Sequence, residues 1–366
     1  MRYHGIDLHK GSAAVSVRDE VGSEVRYLPR ITDLGGYVST LGAEDAVVIE
    51  SSSGSFWWTE RIQRMGARCV VIDPYRFRII RDSWHKTDRR DAAALSLALW
   101  MSTQSGELML PEVWQPTPLV RELRRLFSQW QILNTQIRQL KAQVQGVLVE
   151  NGITDCKLGV RMVDNPTTGE QLMCTLELSN ASAFAISMSL KILAMLKEQK
   201  KTLLREIYLT GRPLEQQVSL LITIRGVTPL LALGFLSEVG DIHRFRSLRG
   251  LLAYLGVVPT VRSSGGTTHV GRINRHSRSL ARTLFTQAVF HLAASSPLLT
   301  RFYRELVERK GYGRARIAIV RKTFGMMRRM LLSNTSYRWK EERLFQDKLK
   351  DYLKVLDSEE KAIAVA

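Results

Sequence analysis

Long apolar runs and paired cysteines are both missing from this chain of 366 residues. No apolar stretch approaches the roughly 18 residues that a membrane-spanning helix needs, and no signal segment opens the chain, so we expect a cytoplasmic protein without membrane contact. The three cysteines, Cys69, Cys156 and Cys174, lie far apart and match no zinc or redox spacing. We interpret them as reduced structural residues, which excludes a fold built on disulfides.

Acidic residues are nearly missing from one part of the chain. Residues 241–340 contain 20 Lys and Arg but only three acids, and no acid occurs from Ile242 to Tyr303. The net charge of the whole chain is +18, so this stretch carries nearly all of it. An ordinary solvated surface mixes both signs of charge. The excess of cations therefore predicts a phosphate backbone as the binding partner.

Short apolar runs alternate with helical patterns at the start of the chain. Residues 12–17 and 24–28 are typical of hairpin strands around Gly22, and residues 46–50 and 69–73 are typical of buried strands. Helical patterns fill the intervals, so we expect an α/β domain with a mixed sheet over residues 1–104. Residues 105–117 contain prolines and little periodicity, which predicts a linker.

An apolar heptad pattern marks the middle of the chain. From Leu123 to Val147 apolar residues recur at alternating steps of three and four, and a similar pattern covers residues 186–208 with Lys200 interrupting it. We expect residues 118–215 to form an antiparallel helical pair or a dimeric coiled coil. Residues 152–183 form a polar insertion with turn signals, for which a small β element is one interpretation. A mainly helical domain is expected over residues 216–345 and a tail over residues 346–366.

Four carboxylates have the arrangement of a site for a hard divalent cation. Asp7 and Glu50 end two predicted strands, while Asp88 and Asp91 stand three residues apart at the start of a helical stretch. Such a site suits Mg²⁺ and phosphodiester chemistry. The structural alternative is that Asp88 caps the helix with Asp91 in a capping box, and that the strand-end acids face solvent. Further structural or supporting candidates near these elements are Asp73, Asp82, His4, His9 and His85.

A serine loop lies in the middle of the basic domain. Ser263 and Ser264 precede Gly265 and Gly266, with Arg262 beside them. A hydroxyl in such a loop can attack phosphorus while arginines stabilise the developing charge. The same letters are also ordinary loop composition, so both interpretations stay open.

Five segments, taken in order, resemble a known family. They are Gly5-Ile6-Asp7, Val48-Ile49-Glu50, Lys86-Thr87-Asp88-Arg89-Arg90-Asp91-Ala92, Tyr254-Leu255-Gly256-Val257-Val258-Pro259 and Ser264-Gly265. The set is similar to the DEDD transposases of bacterial insertion sequences, which are recombinases related to the Piv invertase, some of them guided by a bridge RNA.

The resemblance implies a fold and a chemistry. It implies a RuvC-like ribonuclease H fold for residues 1–104, a coiled coil, and a C-terminal transposase domain that carries the serine loop. It implies that Asp7, Glu50, Asp88 and Asp91 bind Mg²⁺ and that Ser264 forms a covalent phosphoserine link to DNA. Counting back from the later basic motif favours Ser263, which stays the alternative.

The resemblance also implies partners. In the family, the two sites are similar to halves of a composite active centre between subunits of a dimer or tetramer, with donor and target DNA and a guide RNA held among them. Two motifs depart from the usual pattern: Asn274-Arg275-His276-Ser277 stands in place of Ser-Lys-x-Gly, and Arg225-Gly226-Val227 in place of Pro-Gly-Ile. These departures leave the shape of both loops open.

We therefore expect a site-specific DNA recombinase that moves an insertion sequence. A magnesium-dependent junction-resolving nuclease without a covalent intermediate is the first alternative. An actin-like ATPase or sugar kinase is a second, because Gly5-Ile6-Asp7 also opens that fold, and a non-enzymatic RNA-binding protein is a third. The cations expected on nucleic-acid phosphates are Arg262, Arg272, Arg275, Arg278, Arg282, Arg314, Arg316, Arg321 and Lys322.

Overall fold

The computed structural model describes residues 1–77, 87–104, 110–264, 267–273 and 277–363. The chain divides into two compact units, Met1–Pro116 and Thr117–Ala366. None of the helices in the described ranges combines the length and the apolar composition that crossing a membrane requires.

A five-stranded sheet forms the first unit. Its spatial order is β3-β2-β1-β4-β5, in which β1 to β3 are antiparallel neighbours while β4 and β5 run parallel to β1. The expected mixed α/β domain is thereby confirmed. The elements are β1 (Arg2–Leu8), β2 (Ala13–Arg18), β3 (Glu24–Ile31), α1 (Leu34–Val38), β4 (Asp45–Glu50), α2 (Ser55–Arg64), β5 (Arg68–Ile72) and α3 (Asp88–Gln104).

The two faces of this sheet bury different apolar clusters. Ile6 and Ile49 belong to the cluster that also contains Leu34 of α1 and Ile62 of α2. Alternate residues of the same strands, such as Tyr3 and Val48, belong to the cluster that contains Leu95 and Leu99 of α3. Because side chains alternate along a strand, each strand contributes to both layers. At the sheet edge, the Val113 N–H donates to the Val71 carbonyl at 2.7 Å, so the described end of the predicted linker runs beside β5.

Two long helices open the second unit. They are α4 (Pro118–Glu150) and α7 (Asn180–Thr210), and residues of the α4 heptad pattern, such as Leu133, pack in one cluster with residues of α7, such as Leu193. Lys200, which interrupts the pattern, donates to Asn134 Oδ1 at 2.7 Å, and its Nζ lies 4.6 Å from the centre of the Trp130 ring. Hydrogen bonding and a cation–π contact therefore accommodate the lysine in the seam.

The polar insertion is helical, so the interpretation as a small β element was wrong. It forms α5 (Cys156–Asp164) and α6 (Pro166–Met173). The Asp155 carboxylate accepts from the Lys157 N–H, and the Asn165 side chain accepts from the Thr168 N–H. The apparent turn signal at Asn165 and Pro166 is thus an N-cap followed by proline at the first helical position.

The basic region contains short helices, a β-hairpin and one long helix that reverses direction. In α13 the backbone of Gly311 is non-helical, with φ of 75° and ψ of 165°. A straight helix would separate Phe302 from Lys322 by about 30 Å, yet Lys322 Nζ lies 4.5 Å from the centre of the Phe302 ring. We therefore call α13 a helical hairpin. The elements are α8 (Glu215–Leu221), α9 (Pro229–Val239), α10 (Leu248–Tyr254), β6 (Pro259–Ser264), β7 (Thr267–Ile273), α11 (Leu280–Gln287), α12 (Val289–Ala293) and α13 (Pro297–Ser333).

The stretch expected to be a tail, residues 346–366, begins inside a packed helix, α14 (Glu342–Ile363). Tyr352 and Leu356 are buried in the main core of the second unit, and the Tyr352 ring centre lies 5.2 Å from that of Tyr208. Lys348 donates to the carbonyls of Ile224 at 2.9 Å and Val227 at 3.0 Å. Because α14 is mostly charged, its sequence did not reveal the apolar face that packs this helix against the core.

Candidate metal centre and serine hairpin

Asp7 and Glu50 lie at the carboxyl ends of neighbouring strands. β1 and β4 are parallel and pair Ile6 with Ile49, so each acid follows a residue of the same register pair. Ile6 and Ile49 face the layer of α1 and α2. The next residue of each strand therefore points to the opposite face, which is the face covered by α3.

A glycine brings the start of α3 onto these strands. A Cβ on Gly5 would lie 2.3 Å from the Ala92 carbonyl oxygen and 2.4 Å from the Ser96 nitrogen. No side chain fits there, so the backbones of β1 and α3 are in direct contact. The helix begins at Asp88 and carries Asp88 and Asp91 in its first turn. Sheet and helix thus bring Asp88 and Asp91 near Asp7, while Glu50 ends the neighbouring strand.

The contacts at the start of α3 test the structural alternative, in which Asp88 caps this helix. The Arg90 N–H donates to the hydroxyl of Thr87 at 3.4 Å, and the Asp91 N–H donates to the Thr87 carbonyl at 3.0 Å. Thr87 therefore has the position and contacts of the N-cap, and Asp88 is the first helical residue. The carboxylate of Asp88 is directed instead toward His9, whose Nε2 lies 3.3 Å from Asp88 Oδ2.

His9 lies in the same cluster, although the sequence alone indicated it only as a supporting candidate. Its Nε2 lies 3.3 Å from Asp88 Oδ2 and 3.7 Å from Asp7 Oδ2, and its backbone N–H donates to the Ser12 carbonyl. One ligand atom each from Asp7, His9 and Asp88 lies within 4.8 Å of the others. The available signal was its position two residues past Asp7, in the turn that leaves the same strand.

The electrostatics of this cluster favour a cation. Burial raises the pKa of Asp7, His9 opposes that shift, and the charges of Asp91 and Asp88 raise the pKa further. The side chain of Asp7 is only 15% exposed. Asp88 is 61% exposed. Neighbouring carboxylates repel one another, and a divalent ion removes that repulsion. Oxygen ligands with one imidazole therefore fit a bound divalent metal.

The other supporting candidates make contacts of their own. His4 is buried on the opposite face of the sheet, 2.6 Å from Tyr37 Oη and 3.0 Å from Asp45 Oδ1. Asp73 accepts from the Tyr75 N–H at 2.9 Å in the turn after β5. Asp82 and His85 lie outside the described residues.

The predicted nucleophiles lie at the end of a two-stranded hairpin. β6 and β7 are antiparallel, with Ser263 paired to Thr268 and Ser264 paired to Thr267. Both serines are thus next to the connection of the hairpin. Arg262 and Arg272 belong to the same strands, while Gly265, Gly266 and Asn274, Arg275 and His276 lie outside the described residues.

The sequence of the chain is similar to those of several known proteins. Residues 218–304, which contain the serine hairpin, match the model of the transposase IS116/IS110/IS902 family. The chain is 25% identical to the transposase for insertion sequence element IS1111A of Coxiella burnetii, over 91% of this chain and 90% of that protein. It is 28% identical to a Sinorhizobium fredii protein described as transposase y4qE, over 78% and 70%, and 22% identical to a Pseudomonas aeruginosa protein described as a family 20 transposase, over 80% and 85%.

The chain is related to insertion-sequence transposases. This relationship confirms the resemblance to insertion-sequence transposases and supports the enzyme class, a DNA transposase. The match to the family model covers the hairpin and its supporting helices. The alignment to the IS1111A transposase extends over most of the chain.

Two of the predicted phosphate-binding arginines, Arg278 and Arg282, contact the backbone that leads into the serine hairpin. The Arg278 guanidinium pairs at 3.1 Å with the carboxylate of Glu238, which is 3% exposed. The backbone N–H of Arg278 donates to the Tyr254 carbonyl. Arg282 Nη1 donates to the carbonyl of Gly256 at 2.7 Å. Gly256 has φ of 62°, which favours glycine. These contacts fix the turn that leads into β6.

The cations of the α13 hairpin divide by exposure. Arg316 is half-buried and donates through Nη2 to the Thr286 carbonyl at 2.8 Å. Arg314, Arg321 and Lys322 are exposed. These three are available to phosphates, whereas the hydrogen bond of Arg316 joins α13 to α11.

Proposed function

We propose that the chain is a site-specific recombinase that moves an insertion sequence through a covalent phosphoserine intermediate. Asp7, Glu50, Asp88 and Asp91 hold Mg²⁺ in this proposal, and Ser264 is the nucleophile, with Ser263 as the alternative. The observation that carries it is the convergence of Asp7, His9 and Asp88 within 4.8 Å in a relative of insertion-sequence transposases.

The order of the sheet supports a RuvC-like ribonuclease H fold for residues 1–104. Three antiparallel strands continue into two parallel ones, and Asp7 and Glu50 lie near the carboxyl ends of the adjacent parallel strands β1 and β4. We propose residues 105–117 as the linker, residues 118–215 as a coiled coil that mediates assembly into a dimer or tetramer, and residues 216–345 as the transposase domain.

Each side chain has a distinct role in this proposal. The sheet holds Asp7 and Glu50 rigidly, and the Gly5 contact fixes the first turn of α3 with Asp88 and Asp91. When bound, Mg²⁺ supplies charge neutralisation at the scissile phosphate and activation of the attacking oxygen. His9 adds a ring nitrogen beside Asp7 and Asp88, which could serve as a further ligand of the ion.

The serine step conserves the energy of the phosphodiester. The serine Oγ forms a new ester bond to phosphorus, the bond from phosphorus to the leaving strand breaks, and the released strand end takes up the proton as a hydroxyl. A hydroxyl of the second duplex then attacks the phosphoserine and regenerates the serine. No water is consumed, which separates this chemistry from hydrolysis.

The partners are proposed on the basis of charge and family. The excess of Lys and Arg in residues 241–340 supports contacts to donor and target DNA. A guide RNA would read the DNA by base pairing, which requires no side-chain code for sequence. Sequencing the RNA that co-purifies with the protein tests this partner, and nucleic acid of random sequence would contradict it.

The experiment traps the covalent intermediate. Full-length protein, Mg²⁺, co-purified RNA and end-labelled DNA spanning the junctions of a genomic copy of the element are combined, denatured and resolved on a gel. We expect a labelled protein–DNA adduct that Ser264→Ala abolishes. Loss with Ser263→Ala instead would identify the neighbour, and Asp7→Asn should remove the adduct without abolishing DNA binding.

The control is Ser128→Ala, which changes an exposed serine on α4 and should leave the adduct intact. If the double variant of Ser263 and Ser264 still cuts DNA, the chain is a hydrolytic junction nuclease. If it still joins strands, the serine mechanism is wrong.

A further inference from the structure

A groove of about 910 Å³ runs along the α13 hairpin. Its floor is apolar and includes Leu299 from the first arm and Met326 and Met330 from the second. Phe302 and Trp339 add aromatic rings to its walls. The reversal at Gly311 makes the groove, because it brings the two arms of α13 to face each other.

The rim of this groove is cationic. Arg321, Lys322, Arg329 and Arg338 line it, and all of its lining residues lie in the described part of the chain and include no acid. Lys322 Nζ is 4.5 Å from the centre of the Phe302 ring, and the guanidinium of Arg338 is 5.5 Å from that of Trp339. Positive charge is therefore fixed beside the aromatic surfaces.

Two smaller cavities adjoin the groove. A cavity of about 480 Å³ shares Arg338 and Trp339 with it and adds Arg225, Lys340 and Glu341. Glu341 pairs with Arg225 at 3.1 Å. A cavity of about 280 Å³ shares Arg329 and adds Arg328. Together these cavities form a trough that is lined by seven Lys and Arg and one acid, Glu341. This excess of positive charge suits an anionic chain.

The trough exposes apolar side chains to solvent. Leu298 is 71% exposed and Trp339 is 42% exposed. Contiguous apolar surface on an otherwise charged protein marks a binding site. The occupant must combine flat apolar faces with regularly spaced negative charge.

We propose that the trough binds unpaired nucleotides of a nucleic-acid strand. Their bases pack on the aromatic and methionine side chains, and their phosphates lie along the cationic rim. In a duplex the base faces are stacked on each other, so only edges and phosphates would reach the groove. Unpaired bases offer their faces to aromatic side chains, and a cationic channel follows the backbone. DNA and RNA strands share this chemistry.

The test measures binding without Mg²⁺, so its outcome is independent of the carboxylates and the serines. Full-length protein is titrated, with fluorescence anisotropy as the readout, into labelled DNA strands of about twelve nucleotides, a length within known single-strand sites. The other probes are the same strand with abasic spacers, the matching duplex and an RNA strand. Wild-type protein should prefer the strand with bases over the abasic strand.

Trp339→Ala should weaken binding of the base-containing strand by about tenfold, in the range of one lost stacking contact. Its affinity for the abasic strand and the duplex should stay unchanged. Arg314→Gln is the control, because Arg314 is exposed on α13 and does not line the groove; it should weaken all probes alike. A preference for RNA or for DNA assigns the source of the strand.

Leu298→Asp provides a second variant at a position too exposed to affect folding strongly. It should also reduce binding of the base-containing strand. Equal affinity of wild-type protein for the strand with bases and the abasic strand would overturn the proposal. A change of oligomeric state in Leu298→Asp with unchanged strand binding would also overturn it, since the groove would then be a protein interface.

Discussion

Replacing Gly5 by alanine tests whether the contact between β1 and α3 assembles the metal centre. The new Cβ would lie 2.3 Å from the Ala92 carbonyl oxygen, 2.4 Å from the Ser96 nitrogen and 2.8 Å from the Leu95 Cβ. Two of these atoms are backbone, so no side-chain rotation relieves the overlap. The start of α3 must move away from the sheet.

The size of the effect follows from these distances. Normal separation of non-bonded atoms requires a shift of about 1 Å or more at the helix backbone. Overpacking of this kind costs about 1–3 kcal/mol of unfolding free energy. A displacement of about 1 Å in catalytic groups can cost about a hundredfold in rate. A hundredfold in rate corresponds to about 2.7 kcal/mol, so we expect losses of similar size in strand joining and in stability.

The assays are thermal unfolding with and without Mg²⁺ and the initial rate of adduct formation. Gly5→Ala should unfold at lower temperature, gain less stability from Mg²⁺ and form adduct about a hundredfold more slowly. Gly11→Ala is the matched control, because its Cβ would meet no atom within 4 Å in the turn after β1. Wild-type rate and metal response in Gly5→Ala would refute the role of this contact.

Three other predictions concern charge. Burial raises the pKa of Asp7, so the unfolded chain releases this proton at lower pH than the folded protein. The metal-free protein therefore loses stability as pH rises from the ordinary Asp range through the raised pKa. The increase in melting temperature caused by Mg²⁺ should grow over that pH range, and Asp7→Asn should abolish this growth. DNA affinity should fall steeply with salt, and Arg314→Gln should reduce the slope of log K against log salt by about one; a flat response contradicts phosphate binding. Lys348→Met leaves the Ile224 and Val227 carbonyls without this donor and should lower the free energy of unfolding by about 1–3 kcal/mol in denaturant titration, whereas the same change at exposed Lys350 should have little effect.

Strand patterns were predictable because a strand buried on both faces gives a short continuous apolar run, whereas a strand with one buried face gives an alternating one. The apolar run that ends at Glu50 and the alternating run in residues 12–17 both became strands. The insertion was misjudged because Asn followed by Pro begins helices as readily as turns. Residues 346–356 were misjudged because a surface helix with one apolar face, marked by Tyr352 and Leu356, is mostly charged.

Two acids of the candidate cluster, Asp7 and Asp88, were among the residues that strand ends and the i, i+3 spacing indicate. The metal-binding roles of Asp7, Glu50, Asp88 and Asp91 stay predictions. The place of His9 depends on the path of a turn, and the position of α3 depends on Gly5, whose contact partner is far away in sequence. Internal contacts of Arg278 and Arg282 could not be distinguished from surface charge by composition.

The contacts of Lys348, Tyr352 and Leu356 have a consequence for biosynthesis. The core beneath the basic surface includes side chains from α14, so that surface cannot be completed before the ribosome has translated this helix. A messenger truncated before codon 348 would yield a cationic polypeptide without its closing helix. Such a product would be prone to proteolysis, because the core it leaves exposed is apolar.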